Sequence, residues 1–175
     1  YESDPLSLVD WVPDLVPFVL PPAPAAPSGT VLGTSSIAWT WGPVAGAQSY
    51  RVYSSSSGSL LAASASTGAV VTDLLAATTN SIVVAGVARG ENGPLSASAT
   101  AHTHASPPAG LSLDILYVSS AVLSWSLEDN PSETLAELQR STDGASYSVR
   151  AGTLAPSAED TGLLGCTSYY YRVRH

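Results

Sequence analysis

The sequence predicts an all-β protein built as two sandwiches in tandem, preceded by an extended arm. Three observations carry that reading. Short apolar segments alternate with polar residues and are separated by Gly- and Pro-rich turns, while no segment sustains a helical period. A tryptophan-bearing strand pattern occurs twice, with Trp41 recurring 84 residues later as Trp125. The first 22 residues hold five of the 13 prolines, which interrupt every attempt at a helix there.

The arm comprises residues 1–23. Between its prolines stand large apolar side chains: Leu6, Leu8, Val9, Trp11, Val12, Leu15, Val16, Phe18, Val19 and Leu20. A solvated linker would not carry such a set, so the arm reads as extended chain that needs a surface to lie on. Pro21 to Pro27 reads as a polyproline-like spacer. The first sandwich is assigned to residues 24–104. Ile37, Trp39 and Trp41 alternate with Ala38 and Thr40, and Gly42-Pro43 ends that strand. Tyr50, Val52 and Tyr53 form a second strand, and Ser54 to Gly58 a polar turn. Ile82, Val84 and Val87 form a third strand, Gly90-Glu91-Asn92-Gly93-Pro94 a turn cluster, and Leu95 to Thr103 the closing strand. The second sandwich, residues 105–175, opens at Ser106-Pro107-Pro108. Ala121, Leu123 and Trp125 repeat the first tryptophan strand. Leu138 to Arg140 runs to the turn Asp143-Gly144, and Tyr169, Tyr171 and Val173 alternate along a last strand. The expected core consists of Trp39, Trp41, Tyr50, Trp125, Leu163 and Tyr169.

These residues resemble fibronectin type III domains of the bacterial extracellular kind. In the first copy the likeness runs through Trp41, Gly46-Ala47, Tyr50-Arg51-Val52-Tyr53, Leu74 and Gly93-Pro94. In the second it runs through Trp125, Arg140-Ser141-Thr142-Asp143-Gly144, Leu163 and Tyr169-Tyr170-Tyr171-Arg172-Val173. The resemblance implies a tyrosine corner, because Leu163 and Tyr169 stand six apart as in that family. In the first copy the corner position is Asn80, whose amide cannot make the same bond. The loop Arg89-Gly90-Glu91 sits where the family can carry an adhesive Arg-Gly-Asp triplet, but glutamate is one methylene too long.

The resemblance also implies seven strands per copy, and Tyr169 to Arg174 reads as the sixth of the second copy. Three explanations for the absent seventh strand stand open: the polypeptide continues past His175, another subunit supplies the strand, or the domain tolerates its loss. A sixth strand left at a sheet edge offers unpaired backbone groups to another chain. The arm is a candidate donor through Leu6, Leu8, Val9, Trp11, Val12, Leu15, Val16 and Phe18, with Tyr169, Tyr171 and Val173 as the acceptor strand. Its prolines suit only an edge position. A head-to-tail contact of this kind does not close and builds a filament. The competing expectation is that residues 1–23 pack on the first sandwich as an ordinary interdomain segment.

Composition narrows the function classes. Fourteen acids against six arginines, with no lysine, leave a net charge of −8. That disfavours nucleic acid and anionic membranes as partners. Residues 1–23 carry four acids and no base, the first sandwich is neutral, and the second has eight acids against four arginines. A donor arm and its acceptor would therefore both be acidic unless Arg172 and Arg174 offset the repulsion. No apolar run is long enough to span a membrane. Tyr at position 1 reads as an end made by processing or truncation, compatible with a removed signal peptide. The one cysteine excludes an internal disulfide.

No cofactor is indicated. His102 and His104 share a strand face but lack a third metal ligand nearby in sequence. Cys166 has no base or orienting partner in its surroundings and reads as a small, partly buried loop residue. Glu128, Asp129, Glu133 and Glu137 fit no calcium-loop spacing and read as a solvated acidic loop. Loose aromatic candidates for a glycan platform are Trp11, Tyr53, Tyr117 and Tyr170. The expectation is a non-enzymatic extracellular or cell-surface structural or adhesive protein that self-associates, in one form as a filament subunit. The alternative is a spacer or binding module of a secreted multidomain enzyme, such as a polysaccharide-degrading one, whose partners are the neighbouring domains of a longer chain. Glycan binding is the third possibility.

Overall fold

The computed structural model describes residues 18–175, and every described secondary-structure element is a β-strand. In the first unit, β1 (Ser28–Val31), β2 (Ile37–Thr40) and β5 (Gly68–Val71) form one antiparallel sheet in the order β1-β2-β5. The facing sheet is built from β3 (Ser49–Ser54), β4 (Leu60–Ser64), β6 (Thr79–Ala88) and β7 (Glu91–Leu95), in the order β4-β3-β6-β7. The strand β8 (Ala99–His102) continues along β6 beyond β7, pairing Ile82 with Ala99 and Thr79 with His102. It also packs against β1, which closes the sandwich at that edge.

Period-two alternation explains the core. Side chains on one face of each strand meet between the sheets: Ile37, Trp39, Tyr50, Val52, Val71, Ile82 and Val84, with Trp41 just past β2. Trp39 is 1% exposed and lies against Gly29. A Cβ at Gly29 would come within 2.8 Å of the indole ring, so the glycine admits the large side chain opposite it.

The second unit repeats the plan. The strands β9 (Ala109–Leu116), β10 (Ser120–Ser126) and β13 (Ser157–Thr161) form the sheet β13-β10-β9. The strands β11 (Ala136–Ser141), β12 (Ser148–Thr153) and β14 (Tyr170–Arg174) form the sheet β12-β11-β14. Its core is Ala121, Leu123, Trp125, Ala136, Leu138 and Leu163.

Four expectations change. Glu91 to Leu95 is strand rather than turn: the reversal is only Arg89-Gly90, with φ of 52° and 87°, a two-residue hairpin whose left-handed geometry matches strand twist. Pro94 fits there because β7 is an edge strand. Pro21 to Pro27 is no free spacer. Pro21, Pro24 and Pro27 are buried while the residues between them are exposed, the three-residue period of polyproline II laid along a surface. Pro21 is seated on Gly86 and Gly93, and a Cβ at Gly93 would collide with the Pro21 carbonyl oxygen. Cys166 is exposed rather than partly buried, in a loop at φ 57°. Tyr169 is half-buried rather than a full core residue, packing against the second core from its rim.

Candidate functional site

The repeat supplies an internal control for the edge of the second sandwich. Cross-strand register sets Val84 opposite Val52 in the first copy and Val173 opposite Leu138 in the second. Ile82 and Val84 are 1% and 0% exposed, because β7 and β8 cover β6. The corresponding residues of β14, Tyr171 and Val173, are only half-buried. On the other wall, Leu113 lies opposite the buried Leu123 and is 55% exposed, and Leu116 lies opposite the buried Ala121 and is 66% exposed. Core-facing side chains of β9 and β14 thus line an open slot where β8 stands in the first copy.

The backbone tells the same story. In the first sandwich, the Ser96 N–H donates to the Val84 carbonyl (2.8 Å), and the Val84 N–H donates to Ser96 Oγ (2.9 Å). Among the described residues, β14 pairs with β11 alone, so the outer edge of β14 has no strand partner. Tyr169 and Leu163 form a corner: the Leu164 N–H donates to the Tyr169 hydroxyl (2.9 Å), and Arg140 lies 4.9 Å over the Tyr169 ring. Asn80, at the corresponding place in the first copy, turns its Nδ2 onto the Thr78 carbonyl and hydroxyl instead.

Beside the slot stands a cluster that sequence reading missed. Asp160 on β13 is 1% exposed, and its carboxylate accepts from Arg140 Nη1 (2.9 Å), Arg150 Nε (2.8 Å) and the Tyr171 hydroxyl (2.8 Å). It ties one sheet to all three strands of the other. Burial alone would raise its pKa, but the bonds from Arg150, Tyr171 and Arg140 outweigh burial and hold it below the ordinary carboxylate range. Burial and the neighbouring Asp160 carboxylate push Tyr171 up to about 12. The signal available in the sequence was parity, since Asp160 shares a strand face with the core-packed Ala158.

The arginines expected to offset acidic repulsion already have partners. Arg174 bridges to Glu137 (2.7 Å), while Arg172 donates to Gln139 Oε1 (2.8 Å) and covers the Tyr147 ring at 4.1 Å. Of these two arginines, Arg172 is the one with no carboxylate at its side among the described residues.

Of the donor-arm residues, Leu6, Leu8, Val9, Trp11, Val12, Leu15 and Val16 lie outside the described residues, as does Trp11 as a glycan candidate. Phe18 is 42% exposed beneath Arg89, 4.9 Å from its guanidinium carbon. Among the core candidates, Trp39, Trp41, Tyr50, Trp125 and Leu163 are all buried. Tyr50 also accepts a bond from the Val44 N–H (3.0 Å).

The remaining chemistry is sparse. His102 and His104 are exposed, and among the described residues no three His, Cys, Asp or Glu side chains stand together as a metal site. Glu128, Asp129 and Glu133 are exposed, whereas Glu137 is engaged by Arg174. Asn130 between them is buried, bonding Ser106 through both the N–H and the carbonyl of that linker residue (2.8 Å each). Tyr53 borders a shallow bowl of about 420 Å³ with Val83, Leu95 and Asn92, whose amide donates to the tyrosine hydroxyl (2.7 Å). Tyr117 and Tyr170 are exposed on separate elements. No helix among the described residues is long and apolar enough to cross a membrane.

A two-domain fibronectin type III segment of chicken tenascin superposes with a TM-score of 0.58 at 17% identity, covering 86% of this chain and 89% of that one. Both sandwiches have the fibronectin type III fold. The central fibronectin-III array of RIM-binding protein matches at TM-score 0.39 and 22% identity over 87% of this chain and 57% of that one. The chicken CNTN1 FN1–FN3 domains match at 0.43 and 18% over 89% and 62%. No family profile and no curated protein matches the sequence.

Proposed function

We propose that the chain is a non-enzymatic, extracellular structural or adhesive subunit that self-associates by strand complementation. The slot between β9 and β14 accepts an extended segment from another copy. The observation that carries this reading is the difference between two equivalent strands of one chain: β6 is covered, whereas β14 presents half-exposed core side chains and an unpaired edge. The donor is the apolar arm, through Leu6, Leu8, Val9, Trp11, Val12, Leu15 and Val16, whereas Phe18 lies beneath Arg89 of its own sandwich. Packing of Pro21, Pro24 and Pro27 on their own sandwich supports a donor held at a fixed exit point. The extracellular assignment rests on the resemblance to bacterial extracellular domains. Negative charge on both arm and acceptor sandwich makes association salt-dependent, strengthening as salt screens the repulsion.

Sedimentation velocity tests the reading. The 175-residue chain should form concentration-dependent multimers, and a form comprising residues 21–175 should remain monomeric. Equal assembly by both forms, or none by either, would refute it.

A further inference from the structure

The two sandwiches differ at their corners as well as at their edges. The offset that pairs Leu74 with Leu163 also pairs Asn80 with Tyr169. In the second copy the Tyr169 ring packs against the core, and its hydroxyl accepts from the Leu164 N–H (2.9 Å). In the first copy the shorter Asn80 stands there and bonds to Thr78 in its own loop instead. Asn80 and Leu74 both line a cavity of about 250 Å³ that is bordered by strands of both sheets. The cavity therefore lies where the ring of a corner tyrosine would stand.

Its chemistry is mixed. Trp39, Val71 and Ile82 give it an apolar wall, while Ser54, Ser56 and Ser59 at the β3–β4 turn bring hydroxyls. No charged side chain borders it among the described residues. Trp39 is 1% exposed, and its Nε1–H meets no acceptor among the described residues. Trp41 and Trp125 also hold unpaired indole nitrogens, but Trp39 is the one that lines this cavity. A buried N–H without an acceptor is costly, so an oxygen brought into the cavity is favoured there. Asn80 commits its Nδ2 to Thr78, and its Oδ1 meets no donor among the described residues. The volume is far above the roughly 30 Å³ that one water fills, and just below the roughly 300 Å³ at which pockets for drug-sized ligands begin. One six-membered ring carrying several hydroxyls matches both the size and the lining.

We infer that this cavity of the first sandwich binds a neutral pyranose ring, as a free sugar or as the end residue of a glycan. One ring oxygen or hydroxyl accepts from the Trp39 Nε1–H, and another hydroxyl donates to Asn80 Oδ1. The remaining hydroxyls bond with the serine turn, and the C–H face of the ring lies against Val71 and Ile82. A lining without charge selects against uronic acids and protonated amino sugars, because their charge would be buried unpaired. A phenol would match the apolar wall, but its single hydroxyl would leave most of the polar lining without a partner. The inference stands apart from strand complementation, since no residue of the slot between β9 and β14 takes part in it.

Titration of the 175-residue chain with the methyl glycosides of glucose, galactose and mannose, followed by NMR, tests this. At least one should shift the Trp39 indole N–H resonance saturably, with a Kd of about 1 mM, the scale for a ligand of about a dozen non-hydrogen atoms. Asn80→Tyr puts the corner ring into the cavity and should abolish that shift while the spectrum of the first sandwich stays dispersed. Asn80→Ala keeps the cavity open, removes the acceptor and should weaken binding by about tenfold, which decides the matter if the tyrosine variant does not fold. No saturable shift from any of these glycosides, or an unchanged Kd in the variants, would overturn the inference. So would p-cresol shifting the resonance where no glycoside does, or a methyl glucuronide binding more tightly than the methyl glucoside. A disaccharide ending in the same ring distinguishes the two sources: equal binding assigns the cavity to glycan ends, and loss of binding assigns it to free sugars, each in support of a pyranose site.

Discussion

Replacing Asp160 with asparagine should destabilise the second sandwich selectively. The carboxylate is 1% exposed and holds Arg140, whose side chain is 16% exposed, and Arg150, 32% exposed, together with the Tyr171 hydroxyl. Asparagine keeps the shape but not the charge, so two guanidinium groups lose their counter-ion, one of them mostly buried. Breaking a buried ion pair from one side costs about 3–5 kcal/mol. Arg150 is partly solvated and recovers some hydration, which favours the lower figure. A loss of about 3 kcal/mol lowers the melting temperature of a domain this size by roughly 12–24 °C. Scanning calorimetry should therefore show the second transition falling while that of the first sandwich, which has no part in the cluster, stays in place. Tyr171→Phe removes one bond to the same carboxylate and should cost about 1–3 kcal/mol. The pH dependence carries the same signature. Because the folded pKa lies below the unfolded value, the stabilisation is fully present above the unfolded pKa, near 3.8. It is lost as pH falls through the lower folded value. The asparagine variant should lack that acid-side loss. A shift below about 1 kcal/mol, or equal shifts in both transitions, would refute the reasoning.

Two further outcomes follow from named contacts. Gly93→Ala places a Cβ against the Pro21 carbonyl and should expel the Pro21–Pro27 segment from its sandwich, destabilising the first unit by about 1–3 kcal/mol. Limited proteolysis should then cut near residues 18–27 faster than in the unsubstituted chain. Asn130→Ala frees the N–H and carbonyl of Ser106 and should cost the second unit about 1–3 kcal/mol, with faster amide exchange at Ser106 as the readout.

Legibility in the sequence followed the range of the interaction. Trp39, Trp41 and Trp125 announce buried strands because a two-residue period is local, and their recurrence exposes the repeat. The corner between Leu163 and Tyr169 was expected from the family resemblance, and it closes a short loop. The strands β4, β5, β12 and β13 had weaker signals, being short and holding no more than one fully buried residue each. The turn expected over Gly90 to Pro94 was over-read from its Gly and Pro content, since an edge strand tolerates both.

The sequence by itself determined the all-β class, the repeat and the positions of the tryptophans at the two cores, because each depends on residues within one strand or on a comparison of two strands. Only the tertiary structure decided the rest. Arg140, Arg150, Asp160 and Tyr171 sit on four strands that meet through sheet pairing, and no local pattern reports which arginine faces which carboxylate. The slot between β9 and β14 is likewise a relation between two sheets. Its walls, Leu113, Leu116, Tyr171 and Val173, have the alternation of ordinary core residues, and their exposure depends on which strand lies over them.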